Sequence, residues 1–182
     1  DCLHTQFLKI AIGCVKNNKN CVFFTNQSTE KFDSEMHINK PIKISRFKYE
    51  LNALFRNKYP ISPSMYMLPR KPVFEILNQN FGSFDKYRGM ETGAGYDLMC
   101  ILKSISNSLE IFYLKDSLVK IGNGSDSISI SQNSINLSNC YIAAKMVYLS
   151  RKSFIYRLIG MYILYNRYNK YLRKIKFSIF LN

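Results

Sequence analysis

Apolar positions near the amino terminus form two short runs around a polar stretch. Residues 6–15 and 21–25 are apolar and partly β-branched, and residues 16–20 between them are polar. Runs of this length on either side of a short polar stretch predict two strands joined by a turn. The sequence therefore predicts an N-terminal β-hairpin with Lys16 and Lys19 at its basic tip.

The next pattern, from residue 41 to about residue 58, repeats every three or four positions. This spacing places apolar side chains on one side of a helix, and Pro41 is tolerated in a first helical turn. The expected buried face is Ile44, Phe47, Leu51, Leu54 and Phe55. Four of the five prolines lie in residues 60–72, which predicts a Pro-rich connector followed by a short helix from Val73 to about Asn80.

Further along the chain, a helix is expected after Asp97, which is a suitable capping residue. From residue 109 the apolar period changes to two, which is typical of strands with one wet face. Residues 109–114, 117–121 and 127–130 are predicted strands, and the glycine-rich residues 122–126 are a predicted turn. We therefore expect a small antiparallel sheet over about residues 109–131.

The C-terminal segment 141–176 contains no proline and one glycine, which predicts a long helix. A stripe on this helix is expected to pack against the domain or a partner helix. Its members are Val147, Phe154, Leu158, Met161, Tyr165, Tyr168 and Leu172. The opposite side carries Lys145, Lys152, Tyr156, Arg167, Lys170 and Lys174. The segment is therefore predicted to be a long basic amphipathic C-terminal helix.

These elements together predict an α+β protein. At 182 residues with 47% hydrophobic residues, the chain is long enough and apolar enough for one packed domain. We expect residues 1–140 to form this domain, and residues 141–182 to form the C-terminal helix and tail packed on it or on a partner. No stretch of 18 apolar residues occurs, so a membrane-spanning helix is not expected.

Charge is the strongest compositional signal. Lysine and arginine number 26 against 12 aspartate and glutamate, for a net charge of +14, and nine of these cations follow Asp126, after which no acid occurs. A small domain needs a net charge of about 2–8 for solubility, so the excess favours binding to a polyanion. The alternative is that the charged helix face is merely solvated.

The predicted helix face supplies most of the candidate RNA contacts. Cations spaced by one or two turns can follow phosphates along a groove, and Tyr156 can stack on a base. Secondary candidates are the basic pairs at the connector and at the hairpin tip. Basic pairs at such positions are as common on surfaces without a function as they are in RNA contacts. These secondary candidates are Arg70, Lys71, Lys16 and Lys19.

Metal and catalytic chemistry are not expected. Cys2, His4, Cys14 and Cys21 are separated by one, nine and six residues, whereas structural zinc sites use close pairs such as Cys-x2-Cys. Free or buried thiols are the simpler interpretation, and five irregularly spaced cysteines do not form a disulfide framework.

Catalytic motifs are also missing from the sequence. The glycine-rich residues 89–95 match neither of the common phosphate-binding patterns. His4 and His37 are the two histidines, and neither lies in a nucleophile motif. Glu91 and Asp97 remain a conceivable acid–base pair, but no pattern places them in a cleft. We therefore expect no enzyme activity, cofactor or small-molecule substrate.

The abundance of Lys, Asn, Ile, Phe and Tyr and the absence of Trp indicate an AT-rich genome. In this composition, small size and basic tail the chain resembles organelle-encoded ribosomal proteins. The resemblance implies a structural role in the mitochondrial matrix with rRNA and neighbouring proteins as partners. It implies rRNA contacts through Lys145, Lys152, Arg167, Lys170, Lys174 and the Arg70 region.

Two other classes remain open. One is a non-catalytic accessory subunit of a mitochondrial membrane-bound respiratory complex, in which the basic helix lies on an anionic membrane surface or an acidic subunit. The other is an unfamiliar enzyme from an AT-rich virus or parasite. Salt-sensitive RNA binding would favour the ribosomal class, and co-purification with detergent-solubilised complexes would favour the respiratory subunit. A pocket that gathers Glu91, Asp97 and a histidine would favour the enzyme.

Overall fold

The computed structural model describes residues 2–16, 20–28, 37–55, 65–78, 95–120 and 134–172. Helices and strands both occur in these ranges, which confirms the α+β class. The helices are α1 (Phe7–Val15), α2 (Arg46–Phe55), α3 (Arg70–Leu77), α4 (Tyr96–Asn107), α5 (Ser134–Ser150) and α6 (Phe154–Leu172). The strands are β1 (Cys2–Leu3), β2 (Cys21–Ser28), β3 (Ile42–Ile44), β4 (Tyr66–Met67) and β5 (Glu110–Lys120).

The chain divides into two compact units. The first consists of Asp1–Phe74 and Ile101–Gly124 and holds the strands, and we call it the sheet unit. The second consists of Glu75–Cys100 and Ser125–Asn182 and is called the helical unit. The domain boundary expected at residue 140 falls inside α5.

The sheet is mixed and is built around β5. Its order is β1-β5-β2-β4, and β3 also pairs with β5. Strands β2 and β5 run parallel, whereas the other pairs are antiparallel. The prediction of a small antiparallel sheet over residues 109–131 is therefore wrong in its pairing, because β5 pairs with strands from the first 45 residues. Residues 121–131 lie outside the described residues.

The break that the sequence indicated between residues 114 and 117 is a bulge within one continuous strand. Thr25 is paired with Leu114, but the next residue of β2 is paired with Ser117, so Lys115 and Asp116 have no opposite partner. The Thr25 hydroxyl donates to the Asp116 carbonyl at 2.6 Å. Polar residues inside a strand therefore mark a bulge here rather than a turn.

Residues 7–15 form α1 instead of the first strand of the predicted hairpin. Phe7 and Ala11 are buried one helical turn apart, and the rings of Phe7 and Phe23 are 5.8 Å apart in an edge-to-face arrangement. Packing against β2 thus decides between helix and strand in a short apolar run that allows both. The N–H of Lys16 donates to the Ile12 carbonyl at 2.8 Å and ends α1, and Lys19 lies outside the described residues.

The helix predicted from residue 41 begins at Arg46, because Ile42–Ile44 form β3. This strand pairs with Ile111–Tyr113 of β5 and satisfies backbone groups at that edge of the sheet. The Ser45 hydroxyl accepts the N–H of Lys48 at 3.4 Å. A serine that caps the third helical residue is a standard start signal, and it separates β3 from α2.

Both faces of the sheet are covered within the sheet unit. Phe23 belongs to a cluster on the α1 side, with Phe7, Ala11, Met65, Leu114, Leu118 and Val119. Val22 and Phe24 belong to a cluster on the other side, with Ile101, Ile105 and Ile111. Five consecutive buried residues of β2 follow from this arrangement, as expected for a strand in a two-sided sheet.

Two predicted helices are confirmed with shifted bounds. The short helix expected from Val73 is α3, which begins at Arg70. Arg70 and Lys71 consequently lie in its first turn, not on an extended connector. The helix expected after Asp97 is α4, and the Asp97 carboxylate accepts the N–H of Leu98 at 2.7 Å.

The predicted C-terminal helix is two helices, α5 and α6, separated at Arg151–Ser153. The N–H groups of Arg151 and Lys152 donate to carbonyls three residues earlier, which tightens the last turn of α5 and ends it. Gly160 does not break α6. Its Cα faces Leu149 so closely that a Cβ would lie 2.7 Å from a Leu149 methyl group, so glycine permits this contact.

The stripe expected to pack is largely exposed on α6. Phe154 is 63%, Leu158 52% and Tyr165 42% exposed, whereas Gly160 and Leu164 are buried. The stripe prediction is therefore wrong for these three residues, because α6 is apolar around most of its circumference and the small Gly160 selects the packed side. In the described part of the chain, no helix has the length and hydropathy needed to cross a bilayer.

Candidate nucleic-acid interface

Lys145 is not on an exposed basic face. It is 1% exposed, and every residue from Ile142 to Leu149 of α5 is buried. A helix segment buried on all sides has no solvent face on which a cation can meet phosphate. The prediction that Lys145 contacts RNA is corrected for this reason.

Lys152 and Tyr156 do come together at the start of α6. The Lys152 ammonium lies 4.5 Å from the centroid of the Tyr148 ring and 5.9 Å from that of Tyr156. Both distances are within cation–π range. The side chains of Arg167 and Lys170 lie outside the described part, as does the whole of Lys174, so their predicted roles stay predictions.

The described secondary basic candidates lie at the start of α3 and at the end of α1. Arg70 is exposed, and its guanidinium lies 4.9 Å from the Phe74 ring centroid, one turn along α3. Lys71 is exposed beside it, and Lys16 is exposed at the end of α1. Arg70 and Lys71 are thus neighbours on one helix, whereas Lys16 belongs to a different element.

A different basic stretch includes β3 and the start of α2 and was missed by sequence reasoning. We call residues 40–48 the basic segment, and its cations are Lys40, Lys43, Arg46 and Lys48. No acid occurs in these nine residues. This run of cations was the available signal. The apolar period assigned the run to one predicted helix, whereas it contains β3 at the sheet edge and the start of α2.

Two cations of the basic segment hold it to the sheet unit. Lys43 forms an ion pair with Glu110, and its ammonium lies 5.7 Å from the Phe112 ring centroid. Arg46 donates to the Ser106 and Ser108 carbonyls at 3.4 and 3.5 Å. A cation is favourable there because these carbonyls lie at the C-terminal end of α4.

Asp116 fixes the chain that leads into the basic segment. Its carboxylate accepts the Asn39 backbone N–H at 2.7 Å and the Asn39 side-chain amide at 3.0 Å. The same residue lies in the β5 bulge, where its carbonyl accepts the Thr25 hydroxyl. The bulge thus positions Lys40, the next residue along the chain.

All four cations of the basic segment are exposed, and Lys43 and Arg46 have the partners described above. Lys40 and Lys48 are the other two. Among the described residues, neither ammonium has a hydrogen-bond or ion-pair partner. Their charges are therefore not neutralised by the described part of the protein.

Lys48 also lines a pocket of about 640 Å³ in the sheet unit. Its aromatic walls come from Phe24, Tyr49 and Tyr113. The rings of Phe24 and Tyr49 are stacked with centroids 4.6 Å apart, and the Tyr113 hydroxyl donates to the Asn26 side-chain oxygen at 2.9 Å. These contacts between β2, β5 and α2 preform the pocket.

Polar groups are mixed with the aromatic rings. Burial raises the pKa of Tyr49, and the neighbouring Tyr113 raises it further, so the Tyr49 phenol stays protonated and can donate. Asn52 lines the pocket as well, and its amide has no hydrogen-bond partner among the described residues. The volume lies within the range of about 300–1,000 Å³ that is usual for ligand pockets. Lys48 and the aromatic walls suit a ligand with an aromatic ring and an attached anion.

Asp97 and His4, the described candidates for acid–base chemistry, have different hydrogen-bond partners. In the helical unit, the Asp97 carboxylate accepts the Tyr141 hydroxyl at 3.2 Å, and burial raises the pKa of both groups. His4 belongs to the sheet unit, where its Nδ1 accepts the N–H of Gln6 at 3.2 Å. Glu91 lies outside the described residues. That the protein is not an enzyme stays a prediction.

Cys14 and Cys21 are free thiols in this fold. The Cys21 thiol donates to the Cys14 carbonyl at 3.7 Å. Burial raises the pKa of Cys14, and burial together with Cys14 and Glu110 raises the pKa of Cys21 to about 11. In the residues that the structure describes, no three side chains of metal-ligating type come together.

The geometry of the pocket and of the basic segment is the basis for inferring what they bind. The resemblance to organelle-encoded ribosomal proteins and the mitochondrial location stay predictions. No protein-family model matches the sequence, and no curated protein or solved structure is significantly similar to it.

Proposed function

We propose that this protein binds RNA through the basic segment and the adjoining pocket, as a structural component of a ribonucleoprotein assembly. One observation carries the proposal. Lys48 is exposed and has no partner among the described residues, and it lines a pocket whose other walls include aromatic rings and side-chain amides. A cation beside aromatic surface matches the two parts of a nucleotide.

The cations take the phosphates in this proposal. Lys40 and Lys48 lie on either side of Lys43 and Arg46, which anchor the segment through Glu110 and the end of α4. The exposed ammonium groups are thus presented from a fixed backbone. Since lysine neutralises phosphate as a point charge, the contact depends on salt and not on base sequence.

The pocket takes the base of an unpaired nucleotide. A base inside a duplex is stacked and paired, whereas single-stranded loops can place a base on an aromatic side chain. The rings of Tyr49 and Tyr113 supply such surface, and the Asn52 amide can exchange hydrogen bonds with a base edge. Loops and bulges of a structured RNA are therefore the expected targets.

The charge of the whole chain supports a polyanion as partner. At +14 the protein attracts RNA over distances longer than a single contact. The AT-rich composition favours a mitochondrial ribosome as the assembly, with rRNA and neighbouring proteins as partners and the matrix as the location. In this role the protein needs no cofactor.

Reversing two charges of the basic segment tests the proposal. Because each phosphate contact of a single strand contributes about 0.7 to the logarithmic salt dependence, Lys40→Glu/Lys48→Glu should lower this slope by about 1.4. Over one decade of salt concentration, a slope change of about 1.4 corresponds to a roughly 25-fold change in affinity. We expect the affinity at 0.1 M salt to fall by roughly this factor. Fluorescence anisotropy with a labelled stem-loop RNA, from low to moderate salt, measures both quantities.

The matched control is Lys9→Glu/Arg151→Glu, which makes the same change in net charge at two exposed positions that are not predicted to contact RNA. We expect a much smaller loss of affinity and an unchanged slope. Equal losses in the two variants would mean that only the overall charge matters. An absence of salt-sensitive binding by the unaltered protein would overturn the proposed function.

Filling the pocket tests the base contact separately. Asn52→Phe places a ring in the pocket and leaves every cation in position, so affinity for unpaired RNA should fall roughly tenfold, within the range of one lost base stack. The salt slope should stay unchanged. Asn52→Ala, which leaves the pocket open, serves as the control and should lose less. A similar affinity for Asn52→Phe and the unaltered protein would exclude the pocket from RNA binding.

A further inference from the structure

Helix α6 has a wide exposed apolar face. Its large side chains are between 36% and 71% exposed. We call this set the α6 face, and its members are Phe154, Ile155, Leu158, Ile159, Tyr162, Ile163 and Tyr165. At 100° per residue they cover about 180° of the helix. Asn166 is the one polar side chain that the structure describes within this arc.

The other side of α6 is fixed within the helical unit. Gly160 and Leu164 are buried there, and Gly160 lies directly against the Leu149 side chain of α5. The helix therefore lies along α5 with about half of its circumference open. An exposed apolar surface of this continuity marks an interaction site more often than it marks solvent-facing surface.

The charge around the α6 face indicates which kind of partner fits it. The chain from residue 127 onward contains nine cations and no acid. Arg151 is exposed immediately before α6, and the Arg157 guanidinium lies 5.5 Å from the centroid of the Phe154 ring at the edge of the face. Two copies of a protein with a charge of +14 repel each other. A partner that is apolar and negatively charged fits this surface better.

An anionic lipid surface has both properties. Acyl chains accept aliphatic side chains, headgroups of negative charge attract Lys and Arg, and tyrosines are suited to the boundary between them. Tyr162 and Tyr165 lie on the α6 face. We propose that α6 lies in the surface of an anionic bilayer, with its apolar face toward the acyl chains and α5 on the side away from the lipid.

This inference goes beyond RNA binding and is independent of it. The α6 face belongs to the helical unit, whereas the basic segment and the pocket belong to the sheet unit. Variants in one can therefore be examined for the activity of the other. Loss of lipid binding with intact RNA binding, or the reverse, identifies which proposal has failed.

Vesicle sedimentation of the full chain tests the inference. The probe is phosphatidylcholine vesicles with and without phosphatidylserine. The unaltered protein should bind the anionic vesicles, and Ile155→Gln/Leu158→Gln/Tyr162→Gln should weaken this binding by roughly tenfold or more, because the apolar contact is lost without a change in charge. The control is Leu8→Gln/Ile12→Gln, since both residues are 54% exposed on α1; it should bind as the unaltered protein does.

A fluorescent reporter keeps the test decisive if the triple variant folds poorly. The chain contains no tryptophan, so Tyr162→Trp gives a single signal from the α6 face. Its emission should shift to shorter wavelength with anionic vesicles. Equal binding of the triple variant, equal binding to neutral vesicles, or an unshifted reporter would each overturn the inference. Binding that fails while the chain forms stable dimers on size exclusion would assign the face to a second copy.

Discussion

Phe23→Ala is expected to lower the free energy of unfolding by about 3–5 kcal/mol, the usual cost of deleting a buried phenylalanine ring. Phe23 is fully buried in the middle of β2. It contacts the α1 side of the sheet, where its ring meets Phe7 edge to face at 5.8 Å. The loss is large because the ring is enclosed by the buried side chains of its cluster, which relax only partially into the cavity.

Urea denaturation followed by far-ultraviolet circular dichroism measures this effect. The matched control is Phe47→Ala, since Phe47 is 60% exposed on α2 and alanine is a better helix former. The control should change stability by less than about 0.5 kcal/mol. A loss below about 1 kcal/mol for Phe23→Ala would contradict the placement of this ring in the sheet core.

The contact of Phe23 with Phe7 also shows which part of the fold can be predicted from the sequence. The apolar run at residues 21–25 predicts a strand correctly, because buried strands have continuous apolar sequences. The run at residues 6–15 has nearly the same character but forms a helix. Short apolar runs satisfy both templates, and the contact of Phe7 with Phe23 resolves the ambiguity. That contact joins two elements and is absent from any local pattern.

The same limit applies to β3 and to the bulge in β5. Ile42 and Ile44 fit a helical repeat, yet they pair with β5 about 70 residues further along the chain. Lys115 and Asp116 have the polarity of a turn, and sequence reasoning divided the strand there. Their carbonyls instead accept hydrogen bonds from Asn26 and Thr25. Long-range pairing thus determines both features.

The C-terminal helices show the limit of a helical wheel. On α6 the apolar residues surround most of the helix, so the wheel alone does not select the packed side. Gly160 was the available signal, because a glycine permits close approach of another element. The charged face was misplaced for the related reason that Lys145 lies on α5, whose environment differs from that of α6.

The candidate site was partly accessible from sequence. The excess of cations predicts a polyanion partner, but not where it binds. The pocket joins Asn26 to Tyr113, which are 87 positions apart in the chain. Lys48 acquires its place beside that pocket through the strand pairing of β3. The class of partner thus stays a prediction from composition, whereas the assembly of the proposed site depends on the tertiary structure.

Gly95→Ala is the second change with a large expected effect, in this case on the helical unit. Gly95 has a φ of +90°, which side chains of L-residues rarely adopt and which costs of order 1–3 kcal/mol. An added Cβ would also lie 2.9 Å from the Cys140 carbonyl oxygen. Because that oxygen is backbone of α5, it cannot rotate away as a side chain would. We expect a loss of about 3 kcal/mol or more in unfolding free energy.

The contrast with Gly13→Ala makes this prediction specific. Gly13 lies in α1, and a Cβ there would meet no atom within 4 Å. Alanine should therefore stabilise the helix by about 0.5–1 kcal/mol through its higher propensity. Thermal unfolding of both variants measures the two signs, and faster amide hydrogen exchange at the start of α4 should accompany Gly95→Ala. Equal stability of the two variants would contradict the prediction. It would mean that an alanine at residue 95 meets neither the backbone strain of a positive φ nor the contact with the Cys140 carbonyl.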